Sequence, residues 1–152
     1  MKKRIFLGLL SASLAVASHA AADAPTPGQK LSKEQIAQWG HLPVYQVGKS
    51  KFRVLPARPA DSQLTLLVNA QGVVGVSRNE VAISGVSAQT AQTRLRQTVP
   101  QPLSLEHFDQ AGVTVARYAD FSQAVEGLKA VQAALPEAQV RLPVQFGQQV
   151  PY

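Results

Sequence analysis

The chain has 152 residues, of which 45% are hydrophobic and 16% are charged, and its formal net charge at pH 7 is +6. It contains no cysteine, which excludes disulfide bonds, a thiol nucleophile and a cysteine-based metal site. The positive charge does not indicate nucleic-acid binding, because half of it comes from three basic residues in the first four positions.

The first 22 residues have the three parts of a secretory signal peptide. Lys2, Lys3 and Arg4 form a basic start, residues 5–16 form an apolar stretch, and small residues then form a cleavage zone. The apolar stretch is shorter than the roughly 20 residues that a membrane-spanning helix needs. We therefore expect residues 1–22 to be removed on export, leaving 130 residues with a net charge of +3, enough for one domain.

Residues 23–62 are predicted to form an N-terminal extension with a short helix and strands. Its first part, residues 23–30, is rich in proline and glycine and predicts a mobile leader. Ser32 and Gln35 have the spacing of a capping box, which predicts a helix over 33–39. The strands predicted in the extension are 44–47 and 51–55.

Residues 63–152 are predicted to form the main domain. From Glu80 onward the pattern is β-α-β-β-α-β, with Ser87 and Asp120 as the N-caps of the two helices. We therefore expect an α+β, ferredoxin-like fold: an antiparallel sheet of order 4-1-3-2 with two helices on one face. The predicted strands are 64–68, 73–76, 80–84, 103–108, 113–118 and 138–146.

Three single residues carry further expectations about these elements. Val99 continues the small or apolar positions of the helix that begins at Ser87, and Pro100 follows it. Gly127 lies in the middle of the second helix, where glycine costs about 1 kcal/mol, so a neighbour is expected to pack closely against it. Pro143 lies inside the last predicted strand and restricts it to a sheet edge, because proline has no N–H to donate.

The sequence offers little for catalysis or metal binding. Ser104, Glu106, His107 and Asp109 form the one cluster worth testing for hydrolysis. On a single strand, however, Ser104 and Glu106 point away from His107, which favours a strand with a polar face. No phosphate-binding loop is present, and the exported part has two histidines without a carboxylate cluster. We expect no enzyme activity, no cofactor and no metal.

The end of the chain is unusual because it is uncharged, contains a proline and finishes on an aromatic residue. A frayed tail is one interpretation. The other is an extended peptide that binds a protease cleft as a product does. The residues concerned are Gln148, Gln149, Val150, Pro151 and Tyr152.

Residues 80–152 resemble the N-terminal propeptides of subtilisin-type serine proteases. The resemblance rests on the order of the elements, on the segment 124–129 followed by Pro136, and on the run Val140–Tyr152. Two features depart from the family: no protease domain follows Tyr152, and about 57 residues of the exported chain precede Glu80. The resemblance therefore implies a stand-alone form of the propeptide, made as a separate chain.

This resemblance implies an exported chaperone and inhibitor that acts in trans on a subtilisin-like serine protease, as a heterodimer in the periplasm or released with the protease. Residues 147–152 would form an inhibitory tail, and Glu106 and Asp109 would cap helices of the protease, unless they are ordinary surface carboxylates. No nucleic acid is expected as a partner, and no membrane after cleavage. The alternative is a periplasmic small-ligand or envelope-binding module with the same fold.

Overall fold

The computed structural model describes residues 24–56 and 63–147. These residues form an α+β structure with three helices and two four-stranded antiparallel sheets, which confirms the predicted mixed class. The predicted signal peptide, residues 57–62 before the predicted main domain and the tail from Gln148 to Tyr152 lie outside the described residues.

The first sheet is an antiparallel meander that follows helix α1 (Lys33–Gln38). The predicted capping box is present, because Ser32 and Gln35 each donate a backbone N–H to the other's side chain, at 2.9 and 3.2 Å. Strands β2 (Ser50–Val54) and β3 (Thr65–Asn69) pair with each other although residues 57–62 separate them in the chain, so the sheet takes two strands from each side of the predicted boundary. Its strands are β1 (Val44–Val47), β2 (Ser50–Val54), β3 (Thr65–Asn69) and β4 (Val74–Ser77).

The second sheet and its two helices are formed by β5 (Glu80–Ser84), α2 (Ala88–Leu95), β6 (Ser104–Phe108), β7 (Val113–Arg117), α3 (Phe121–Ala134) and β8 (Gln139–Arg141). The strand order of this sheet is β6-β7-β5-β8, with every neighbouring pair antiparallel. Its last strand lies at an edge, as predicted. Helices α2 and α3 contact each other and cover one face of this sheet.

Local signals in the sequence account for the starts of the two longer helices. The Ser87 hydroxyl accepts the backbone N–H of Thr90, and the Asp120 carboxylate accepts that of Gln123 at 2.8 Å. Each cap satisfies one of the N–H groups that the first turn of a helix leaves without a partner.

The two sheets share one hydrophobic core through helix α3. The fully buried ring of Phe121 makes edge-on contacts with Tyr45 and Phe52 of the first sheet, at 5.7 and 6.2 Å between ring centres. The same core includes Val81 and Ile83 of β5. The extension is therefore packed onto the second sheet's helical layer.

Gly127 of α3 lies against the ring of Tyr118, which confirms the expected close neighbour. A Cβ atom at this position would lie 2.6 Å from Cε1 of Tyr118, far inside van der Waals contact. Tyr118 is itself 2% exposed, and its hydroxyl has no hydrogen-bond partner among the described residues. The absent side chain at 127 thus makes room for a buried aromatic ring.

Burial raises the pKa of Tyr118 to about 12. Between about pH 10 and pH 12, the folded state therefore keeps the hydroxyl proton, whereas the unfolded chain, in which the tyrosine pKa is near 10, loses it. We expect the free energy of unfolding to fall between about pH 10 and pH 12, by up to about 1.4 kcal/mol per pH unit. Urea unfolding at pH 7 and pH 11 measures this decline.

Tyr118→Phe isolates the contribution of this hydroxyl from those of the other titrating groups. Because the hydroxyl has no partner, the variant is expected to be as stable as the wild type or more stable at pH 7. It should also lose less stability at pH 11. An equal decline in both proteins would contradict the assignment to Tyr118.

Three expectations from the sequence are wrong in detail. The segment 24–30 is not a free leader, because Gly28 and Gln29 exchange backbone hydrogen bonds with Val74. Helix α2 ends at Leu95, where Thr98 donates its hydroxyl to the Leu95 carbonyl, and Val99 is 85% exposed. Pro143 follows strand β8 instead of lying inside it, since the strand ends at Arg141.

Candidate functional site

The face of the second sheet opposite the helices is uncovered. Residues that point to the helices, such as Val81, Ile83 and Ala116, are buried, whereas none of the alternate residues is. We call this second set the open face. It consists of Glu80, Ala82, Ser84, Ser104, Glu106, Phe108, Val113, Val115, Arg117, Gln139 and Arg141.

The register of the strands arranges the open face in rows. Glu106 of β6 lies opposite Val115 of β7, which lies opposite Ala82 of β5, and Ala82 lies opposite Arg141 of β8. In this row the middle strands present small or medium apolar side chains, and the outer strands present longer charged ones. The open face is therefore apolar around Ala82 and Val115, and charged side chains lie beside this centre.

One pair of charges on the open face is already neutralised. Arg117 donates to the Glu80 carboxylate from Nε at 3.1 Å and from a terminal nitrogen at 2.6 Å. The two residues are direct cross-strand neighbours, and both are partly buried. The Glu106 carboxylate, by contrast, makes no ion pair or hydrogen bond within the described part of the chain.

A groove of about 410 Å³ lies between the open face, strand β4 and the segment that follows β8. Phe108, a large apolar side chain that is 46% exposed, lies at this groove together with Glu106. The other residues that line the groove are Val76, Arg78, Glu80, Val115, Arg117, Pro143 and Gln145.

Asp109 lies in the turn that joins β6 to β7. Its carboxylate is almost fully exposed and lies 3.3 Å from Nε2 of His107, whose Nδ1 is 3.0 Å from the hydroxyl of Thr114. The turn closes at Gly112, which has a φ of +60° and so favours glycine. The structure thus brings Glu106 and Asp109 to one hairpin, with only Glu106 on the open face.

The geometry around Ser104 follows the alternation predicted for a single strand. Ser104 and Glu106 are exposed on the open face, while His107 points to the other side and is partly buried. Within the described residues, no group of three or more histidine, aspartate or glutamate side chains could hold a metal ion. In the same part of the chain, no helix is long and apolar enough to cross a membrane.

The segment after β8 leads toward the predicted tail. Leu142 is buried, and Gln145 then pairs with Val76 of the first sheet through two backbone hydrogen bonds of 2.8 and 2.9 Å. Phe146 stacks on Phe52, with ring centres 6.3 Å apart. The five tail residues that follow Gly147 are not described, so their predicted role stays a prediction.

The sequence reasoning missed several residues of this site. Phe108, Arg117 and Glu80 could have been found, because they alternate with the apolar positions that identify each strand. The contact of Gln145 with Val76 has no local signal, since it joins positions far apart in the chain. Comparison with protein-family models, curated proteins and solved structures finds no match for this chain.

Proposed function

We propose that this chain is an exported chaperone and inhibitor that acts in trans on a subtilisin-like serine protease. The observation that carries this function is the open face: a four-stranded sheet with helices on one side only, and an apolar centre on the other. A partner that covers this face would bury apolar area that water now contacts.

A ferredoxin-like fold for residues 80–141 is part of this proposal. In its favour, β5 to β8 and the two helices follow one another as β-α-β-β-α-β. Numbered within the unit, the sheet order β6-β7-β5-β8 reads 4-1-3-2 from its other edge. That arrangement is the one expected from the sequence pattern, and the resemblance to subtilisin propeptides rests on the same order of elements.

The two activities follow from binding the folded protease. A protein that binds the native state and not the unfolded chain stabilises the native state by mass action, which assists folding. Blockade of the active site would come from residues 148–152, bound as an added strand in the substrate cleft. Glu106, exposed and without a partner in the described chain, would face the N-terminus of a protease helix, where the helix dipole favours a negative charge.

The test is inhibition of a purified subtilisin-like protease by the exported chain, with Glu106→Gln as the variant. A carboxylate at a helix N-terminus contributes about 0.3–1 kcal/mol, so Glu106→Gln is expected to raise the inhibition constant about twofold to fivefold. Glu126→Gln is the matched control, because Glu126 is exposed on α3 and lies away from the open face. Equal inhibition by both variants would remove Glu106 from the interface.

A periplasmic small-ligand or envelope-binding module is the second candidate, and the groove on the open face favours it. Arg78 lines this groove without an ion pair among the described residues, whereas Arg117 is paired with Glu80, so an anionic ligand would find one unpaired guanidinium group there. Ligand binding in the groove should survive loss of residues 148–152, whereas protease inhibition should not. Calorimetry with candidate anionic ligands on the truncated chain separates the two functions.

A further inference from the structure

The outer edge of strand β4 is occupied by two segments from opposite ends of the chain. Val74 exchanges backbone hydrogen bonds with Gly28 and Gln29, at 2.8 and 2.9 Å. Val76 does the same with Gln145, at the same two distances. We call this arrangement, formed by residues 28–30 and 145–147 along β4, the β4 junction.

Glycines allow the segments of the β4 junction to approach so closely. A Cβ atom on Gly75 would lie 2.8 Å from the Phe146 ring and 2.9 Å from the Val144 side chain. A Cβ atom on Gly28, which has a φ of +87°, would lie 3.1 Å from Cα of Gly147. Any side chain at Gly75 must therefore displace the side chains of Phe146 and Val144, which belong to the segment that follows β8.

We infer that the β4 junction fixes the starting point of residues 148–152, and that Gly75 is a positioning residue for the inhibitory tail. This inference rests on the proposed function. Five residues extend at most about 17 Å, so the place where Gly147 is held limits where Tyr152 can reach. A segment that is already held also loses less conformational freedom on binding, which favours affinity.

The inference gives the first sheet a role in inhibition, although it lies outside the unit that resembles a propeptide. The first sheet supplies β4 for the hydrogen bonds and Phe52 for the stacking of Phe146. The N-terminal segment fills the other half of the same edge and touches Gly147 through Gly28. Both ends of the described chain thus meet where the tail begins.

The experiment combines amide hydrogen exchange with protease inhibition in the full exported chain. In the wild type, the Gln145 amide should be protected. In Gly75→Val, we expect it to exchange at least about tenfold faster, with unchanged protection in β5, and the inhibition constant to rise about tenfold. Ala70→Val is the control, because it adds bulk to the same hairpin at an exposed position.

Phe146→Ala is the second variant, which keeps the test valid if Gly75→Val folds poorly. It removes the ring that stacks on Phe52 without adding bulk, and Phe146 is 46% exposed. It should also speed exchange at Gln145 and weaken inhibition.

Each unfavourable result identifies what has failed. An unprotected Gln145 amide in the wild type would overturn the β4 junction itself. Faster exchange at Gln145 with an unchanged inhibition constant would overturn the positioning role. A wild type that is protected at Gln145 and inhibits no subtilisin-like protease would overturn the proposed function, and with it the role of Gly75 in inhibition.

Discussion

Removal of residues 148–152 is expected to abolish inhibition of a subtilisin-like protease while the rest of the chain stays folded. Proteases of this class bind substrate residues as an added strand, so the tail would supply the hydrogen bonds that occupy the cleft. We expect the inhibition constant to rise by about 100-fold or more, equivalent to about 2.7 kcal/mol. Far-ultraviolet circular dichroism should not change, because the core residues precede this segment.

A chain of wild-type length with a Gly-Ser sequence at 148–152 serves as the control for this truncation. It keeps the length but lacks the apolar side chains and the restricted φ of Pro151. It should inhibit as poorly as the truncated chain. Inhibition by the truncated chain at wild-type concentrations would mean that the open face alone carries the activity.

Gly127→Ala is expected to destabilise the protein by about 2 kcal/mol, although alanine is the better helix former. The gain in helix propensity is about 1 kcal/mol. The new methyl group overlaps the ring of Tyr118, which is buried and cannot move without displacing its neighbours. Overpacking of a core costs about 1–3 kcal/mol and more when the overlap is severe, so the steric term should exceed the propensity gain.

Urea unfolding at pH 7 measures this effect, with Glu126→Ala as the control on the same helix. Glu126 is exposed, so its replacement should change the free energy of unfolding by less than about 0.5 kcal/mol. In the double variant Gly127→Ala with Tyr118→Leu, the two changes should be less harmful together than their sum. Greater stability of Gly127→Ala than of the wild type would show that the Tyr118 ring gives way.

The sequence by itself determined the elements whose signals are local. Capping side chains at Ser32, Ser87 and Asp120 located the helix starts, since each cap needs only the next three residues. Apolar alternation located β5 and β7, and it correctly separated Ser104 from His107 across one strand. The proline in the last predicted strand indicated an edge, although the strand ends before it.

Only the tertiary structure decided how distant segments meet. The sequence predicted a leader at residues 24–30 and a continuing strand at residues 142–146, because neither segment carries a local signal for pairing with β4. Gly127 and Gly75 show the same limit. The sequence marked Gly127 as a place of close approach, but only the fold identifies Tyr118 as its neighbour. The fold alone likewise identifies Val144 and Phe146 as the neighbours of Gly75. Backbone pairing and close packing depend on residues that are distant in the chain, whereas helix caps and the apolar alternation of strands depend on adjacent residues.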